Sequence, residues 1–234
     1  MTEFKDKAAI VTGASSGIGR RTAELLVERG ARVAIFARSA DKLAAIAAPH
    51  RDRMFVVTGD AAIESDIERL FLDAEKQFGR CVILVNNAGM IDPAPIAEIT
   101  SERWDRMFAV NVRSAFIASR LALTSMTASG GGVIVNVASI SGVVGPEKFP
   151  GFASYNASKA ALISLTEALA VEVKDRGVRV NCVSPGSVDT KMWAASSGGA
   201  PAAMTADEVA ETILFLASDR SRPMNGQNLH VYNA

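Results

Sequence analysis

Cysteine and histidine are nearly absent from this 234-residue chain, which has only Cys81 and Cys182, and only His50 and His230. Neither cysteine has a second one nearby at ligand spacing, and each lies in an apolar, strand-like run where a free thiol behaves as a small hydrophobe. A disulfide framework and a metal site are therefore not expected. The two histidines stand far apart without flanking ligands, which makes a zinc site or a serine-histidine hydrolase hard to build. An excess of either charge is also missing, since 25 Lys and Arg balance 25 Asp and Glu. No net basic field exists to hold a nucleic acid or an anionic membrane surface, so neither is expected as a partner. No apolar run approaches the length of a membrane span, and residues 1–7 are polar and charged where a signal peptide needs an apolar stretch. Cytoplasm is the default compartment on these grounds. A linker rich in Pro, Ser and charge is absent, as is any repeat of fixed period, so one domain is the expected count.

What is present is the composition of a globular protein with a sizeable core: 49% of residues are hydrophobic and 21% charged. Short apolar runs alternate with longer stretches of helical period, the signature of strand-helix-strand units around a parallel sheet. Strands are expected at 8–12, 33–36, 54–57, 82–85, 133–137, 179–183 and 228–231. Several are continuous in Val, Ile or Leu, as suits strands covered on both faces. Helices are expected at 18–29, 41–47, 64–78, 101–126, 155–174 and 206–217. The fold class is thus α/β, a doubly wound parallel sheet of about seven strands with helices on both faces. The Ala-, Ser- and Gly-rich stretch 195–206 reads as a mobile loop, within a short substrate-covering loop at 191–206.

The first strand runs into Thr12-Gly13-Ala14-Ser15-Ser16-Gly17-Ile18-Gly19, and a helical pattern starts at once. A Gly-rich strand-to-helix turn lets backbone N–H groups approach a pyrophosphate, and the helix N-terminus supplies a favourable dipole. The spacing, G-x-x-x-G-x-G, departs from the G-x-G-x-x-G fingerprint, so the flanking strand and helix carry the reading. The group that reads the adenosine ribose is expected after the second strand, about twenty residues beyond the glycines. The chain there reads Phe36-Ala37-Arg38-Ser39, with no carboxylate before Asp41. A guanidinium can pair bidentately with a ribose 2′-phosphate, so NADP(H) is the expected cofactor, ahead of NAD(H). The alternative reading of Arg38 is a solvated surface charge.

Further on come Asn86-Asn87-Ala88-Gly89, Asn111, Ser139, Tyr155-x-x-x-Lys159 and Pro185-Gly186, the last running on to Thr190. In this order, over nearly the whole chain, the set resembles the compact, single-domain branch of the short-chain dehydrogenase/reductase family, whose fold is Rossmann-type. The resemblance implies an oxidoreductase passing a hydride between a nicotinamide and a carbonyl or secondary alcohol. It implies Asn111, Ser139, Tyr155 and Lys159 as the catalytic set, with Asn111 holding a water in a proton relay behind Lys159. It also implies cofactor contacts at the Gly-rich turn (Gly13, Ser15, Ser16, Gly17, Ile18, Gly19), at Arg38, at Asp60 on the adenine, at Asn87, Ala88 and Gly89 under the adenosine ribose, at Tyr155 and Lys159, and at Pro185, Gly186, Val188 and Thr190. A homo-oligomer, tetramer or dimer, is implied too, and residues 157–173 carry apolar side chains around more than one face.

Chemistry supports the set independently. Residues four apart on a helix share a face, so Tyr155 and Lys159 point to the same side. A free phenol has a pKa near 10, and a nearby ammonium, joined by the positive oxidised nicotinamide, is expected to bring it down, making Tyr155 an acid in reduction and a base in oxidation. Ser139 is placed to hydrogen-bond the substrate oxygen as charge develops. Asn111 has a second reading, as a bridge between backbone groups, and Asp60 and residues 87–89 as ordinary loop chemistry.

Three features depart from the family pattern. The stretch from Ser139 to Tyr155 has three residues more than usual, placed around Pro146-Glu147-Lys148, and Ser141 competes with Ser139. Residues 190–206 are short for a substrate-covering lobe. The usual Asp-Gly-Gly is missing after the last strand. Side chains of 91–96, 143–152 and 192–193 suggest a partly apolar ligand, such as a 3-oxoacyl thioester, a steroid-like ketone or a small cyclic alcohol. Two other functions are compatible with the fold: an NADP(H)-binding sensor or scaffold without catalysis, and a nucleotide-sugar epimerase, for whose longer C-terminal domain this chain has no room.

Overall fold

The computed structural model describes residues 3–146 and 148–232. Seven strands form one parallel sheet: β1 (Ala8–Thr12), β2 (Arg32–Ala37), β3 (Met54–Thr58), β4 (Ile83–Asn86), β5 (Gly132–Val137), β6 (Val178–Pro185) and β7 (Asn228–Val231), in the order β3-β2-β1-β4-β5-β6-β7. Eight α-helices accompany them: α1 (Gly17–Glu28), α2 (Ala40–Ala47), α3 (Glu64–Phe78), α4 (Ser101–Phe108), α5 (Ser114–Ala128), α6 (Ala153–Glu172), α7 (Lys191–Ser196) and α8 (Ala206–Ala217).

The strands' side-chain alternation builds two cores. Val11, Val33, Ile35, Ile83 and Val85 face one side, where α1, α2 and α8 bring Leu26, Leu43 and Ile213. Ile10, Ala34, Phe36, Leu84 and Ile134 face the other, where α3 and α5 bring Ile67, Leu70, Ile117 and Met126. Both faces being covered explains the unbroken apolar runs. Truncating a fully buried Leu26 or Leu70 to Ala costs about 2–5 kcal/mol. Strand order reverses between β1 and β4, which pair in register from Ala9↔Ile83 to Val11↔Val85, opening a crevice at the carboxyl ends of the strands.

The structure corrects two expected elements. The single helix expected over 101–126 is interrupted by a π-helical turn at Ala109–Arg113, and Asn111 sits within that turn. Such bulges widen the backbone spacing and re-aim a side chain. The loop expected over 191–206 opens with a short helix, α7, whose N-cap Thr190 accepts from the Trp193 N–H. Of the three-residue insertion, Glu147 lies outside the described residues, as does the end of the chain at 233–234.

Candidate active site

The Gly-rich turn is held against the β4 exit by a lattice of hydrogen bonds. Thr12 Oγ1 accepts from the N–H groups of Asn87 (3.1 Å) and Ala88 (3.0 Å), while the Asn87 amide donates to the carbonyls of Thr12 (3.0 Å) and Gly13 (3.1 Å). Gly13 has φ +67°, and a Cβ there would lie 2.8 Å from the Ala88 backbone. Glycine at this position serves the approach of turn to strand exit as much as that of a ligand. Sequence reasoning passed over Thr12, whose role depends on a partner more than seventy residues away. Beyond the turn, the first amides of α1 face the crevice; the Ser16 side chain does not cap them and no acid lies in the first turn. Unsatisfied N–H groups and the helix dipole make this a seat for an anionic group.

A cleft of about 590 Å³ runs along the carboxyl ends of the strands. Into it the structure brings Gly13, Ser15, Ser16, Gly17 and Ile18 of the turn, Arg38 after β2, Asp60 after β3, and Asn87, Ala88 and Gly89 after β4. Ser139, Tyr155 and Lys159 line the same cleft, as do Pro185, Gly186, Val188 and Thr190 after β6. Two expected site residues are not among its walls. Gly19 is buried against Asn87, and Asn111 lies behind the surface, 1% exposed. The Asn111 Oδ1 accepts from Met90 N–H (2.8 Å), and its amide nitrogen donates to Met90 O (3.0 Å) and Ser158 Oγ (2.9 Å). Both ends of this side chain are engaged in fixing the segment after Gly89.

Ser139 ends the β5 side of the site, its hydroxyl accepting from the Ser141 N–H at 3.2 Å. That bond turns the chain into a short helical turn, Ile140–Gly142, which packs directly on α6. A Cβ on Gly142 would lie 2.6 Å from the Lys159 and Ala160 backbone, so only glycine lets this turn approach the helix carrying Tyr155 and Lys159. Tyr155 and Lys159 are both buried. The ammonium donates to the Val137 carbonyl at 2.9 Å and lies 5.8 Å from the Tyr155 ring centre. Burial brings Lys159 down to about 8. Burial also pushes the Tyr155 phenol above its ordinary value, with the neighbouring Ser139 hydroxyl pulling the other way. The expected lowering of the phenol by Lys159 is therefore not what the chain's own groups produce. Burial opposes both charged forms, yet at neutral pH the phenol holds its proton and most of Lys159 remains the ammonium.

The two ends of the cleft differ in chemistry. Around β2 and β3 it carries Arg38, Asp60 and Arg106. Arg38 is exposed and makes no ion pair among the described residues, whereas Arg106 Nη2 lies 2.6 Å from Asp60 Oδ2. Burial pushes the Asp60 carboxyl up, but the Ala62 N–H, the Arg106 guanidinium and the field of Arg38 hold it below the usual carboxylate range. Beyond Tyr155 the walls are aromatic. Phe152 meets Tyr155 edge to face (6.2 Å, 83°), Phe149 packs on Phe152 (5.9 Å), and Trp193 has its indole N–H committed to the Ala200 carbonyl (2.9 Å). Tyr232 reaches in from beyond β7, its Cβ 2.9 Å from where a Cβ of Gly186 would stand. Both tyrosines of the chain thus line this cleft. Arg106 and Tyr232 were not expected site residues.

Among the described residues, no cluster of His, Cys, Asp and Glu could hold a metal ion, and no helix is long and apolar enough to cross a membrane. Both cysteines are buried and free, their thiols pushed up by burial to about 12 at Cys81 and about 11 at Cys182.

A family model described as short chain dehydrogenase matches residues 7–199. The chain is 39% identical, over 97% of its length and 96% of the relative's, to cis-4-hydroxycyclohexanecarboxylate dehydrogenase of Sinomonas cyclohexanicum. It is 37% identical, over the same shares, to a 3-oxoacyl-(acyl-carrier-protein) reductase of Escherichia coli. Among solved structures it resembles a short chain dehydrogenase from Burkholderia cenocepacia in complex with NADP (TM-score 0.89, 33% identity, covering 98% and 97% of the two chains). It also resembles a 3-ketoacyl-(acyl-carrier-protein) reductase from Brucella melitensis complexed with NADH (TM-score 0.91, 30% identity, 97% of each).

Proposed function

The chain belongs to the short chain dehydrogenase family, and from that premise we propose that it is an NADP(H)-preferring oxidoreductase interconverting a ketone and a secondary alcohol. One observation carries the reading: the anion-binding turn with Arg38, and the Ser139, Tyr155 and Lys159 group, line a single cleft. A nicotinamide dinucleotide, when bound, supplies or accepts the hydride. The residues fit such a group, because the uncapped amides of α1 suit its pyrophosphate and the unpaired Arg38 guanidinium suits a 2′-phosphate.

Tyr155 gives a proton to the carbonyl oxygen as it becomes an alcohol, and takes one back in the reverse direction. Its phenol is protonated at neutral pH, the form that gives the proton in the reducing direction. Ser139 donates to the same oxygen as negative charge grows on it. Lys159, fixed by the Val137 carbonyl, sets a positive charge beneath the phenol that favours the transient phenolate. Asn111 is a positioning residue that holds Met90 and Ser158 around this group. The substrate carries a ring-sized apolar body, supported by the walls of Phe149, Phe152, Trp193 and Tyr232.

The protein self-associates through the face of α5 and α6, where Phe116 is exposed in a groove that Leu165 also lines. Light scattering returning only a 24.6 kDa particle at micromolar concentration would refute this. The catalytic reading is tested by following NADPH oxidation with a panel of cyclic, aromatic and linear ketones. Turnover with a preference for ring ketones is expected. Tight NADPH binding without turnover of any carbonyl would make the protein a sensor instead.

A further inference from the structure

The loop after β3 is clamped by guanidinium groups from three different elements. Arg69 of α3 donates to the Thr58 carbonyl (3.0 Å), Arg113 of the π-helical turn to the Ala62 carbonyl (2.9 Å), and Arg106 of α4 to the Asp60 carboxylate (2.6 Å). The first two bind backbone and need no explanation beyond fixing the loop. Arg106 differs, because it pairs with Asp60, the one carboxylate in the cleft wall among the described residues. Asp60 has a defined orientation: its Oδ1 accepts from the Ala62 N–H and its own N–H donates to Asp66 Oδ2, both at 2.9 Å. The loop is also registered on β2, Gly59 N–H donating to the Ala37 carbonyl at 3.1 Å, immediately before Arg38. Asp60 therefore stands about one to two strand spacings, on the order of 5–10 Å, from the Arg38 position.

A carboxylate that close to a phosphate opposes it, and does so within a Debye length of about 8 Å at physiological salt. Left alone, Asp60 would work against the very group that Arg38 is placed to receive. We infer that Arg106 determines cofactor preference indirectly, as a positioning residue that cancels the Asp60 charge and holds it away from the 2′-phosphate. The preference for NADP(H) is then a property of three side chains, Arg38, Asp60 and Arg106, brought together from β2, β3 and α4. This rests on the reading of Arg38 as the phosphate-binding group.

The test is the preference for NADPH over NADH, read both as the ratio of the two dissociation constants by fluorescence titration and as the ratio of kcat/KM, in four proteins at low and physiological salt. The wild type should favour NADPH. In Arg106→Met, which keeps an unbranched stem and removes the guanidinium and its charge, the ratio should fall about tenfold, through weaker binding of NADPH with kcat little changed and more strongly at low salt. Asp60→Asn alone should hold or raise the ratio, since it frees a guanidinium beside the phosphate. Arg106→Met with Asp60→Asn should recover most of the loss. A merely structural clamp predicts something else: equal weakening of both cofactors in Arg106→Met and no rescue by Asp60→Asn, and that result would overturn the inference. A fall in the Asp60→Asn ratio would overturn it as well, even if Arg106→Met failed to fold. A wild type without preference for NADPH would remove the cofactor reading itself, whereas a wild type that prefers NADPH with an unchanged ratio in Arg106→Met would remove only the role of Arg106.

Discussion

The two ends of the cleft are built in opposite ways. The nucleotide end is made from short runs at the mouths of β1, β2, β3 and β4 with Arg106 of α4, and its backbone is tied by reciprocal bonds between Thr12, Gly13 and Asn87. The substrate end is made from loop residues 140–146 and 148–152, from α7 and from the residue after β7, tied by bonds within and between loops, such as Lys148 to the Ser141 carbonyl (2.8 Å) and Ala94 N–H to Gly151 O (3.0 Å). Val144 and Phe149 are left exposed there. A polar seat tied across β1 and β4 thus meets an aromatic wall carried on loops. The contrast teaches that changes at one end should alter one ligand and spare the other.

The sharpest test of that division lies at the junction between the ends. Tyr155→Phe removes the phenolic O–H without touching the turn, so turnover should fall by about 10³, within the 10²–10⁴ range of general acid-base contributions, while NADPH affinity by fluorescence titration stays put. A variant keeping half the wild-type rate would end the assignment of the proton to Tyr155.

At the nucleotide end, Arg38→Ala should weaken NADPH roughly ten- to hundredfold, the worth of a charge-assisted pair of about 1.5–3 kcal/mol, and leave NADH nearly unchanged. Ala37→Asp should move preference toward NADH by repelling the phosphate. Equal weakening of both cofactors in Arg38→Ala would make Arg38 an ordinary surface charge.

Lys159 tests the junction by stability. Burial of its ammonium is costly to the fold, so Lys159→Met should be inactive yet raise the unfolding free energy near neutral pH by about 1–3 kcal/mol, the gain reduced by the unpaired Val137 carbonyl. Below about 8 the folded and unfolded chains both hold this proton, and the penalty is present in full. Between about 8 and 10.5 only the unfolded chain holds it, so the wild type gains stability with rising pH and the gap to the variant closes. Denaturant titrations across that window check the sign, and a gap that widens would contradict it.

The smallest effect belongs to the substrate wall. Tyr232→Leu should lower kcat/KM for ring ketones several-fold, about 1 kcal/mol of aromatic contact, while the KM for NADPH does not move. A shift in NADPH affinity of the same size would dissolve the distinction between the two ends.

Comparing expectation with structure separates short-range from long-range causes. The seven strands, the Gly-rich turn, and α3 and α8 at their observed bounds were legible because each is encoded by neighbouring residues: an apolar run, a glycine, a cap such as Thr205 with Glu208. Tyr155 and Lys159 were legible together because four residues on a helix fix a shared face. What the sequence by itself determined is therefore the α/β alternation, the sheet it implies, and which end of it would bear chemistry. The π-helical turn that buries Asn111, the direction of the Tyr155 shift, the pairing of Arg106 with Asp60 and the arrival of Tyr232 beside Gly186 were decided only by the tertiary structure. The physical reason is common to all four. Burial, desolvation and charge pairing depend on groups that are close in space and remote in the chain, and no local pattern records which partner will be there.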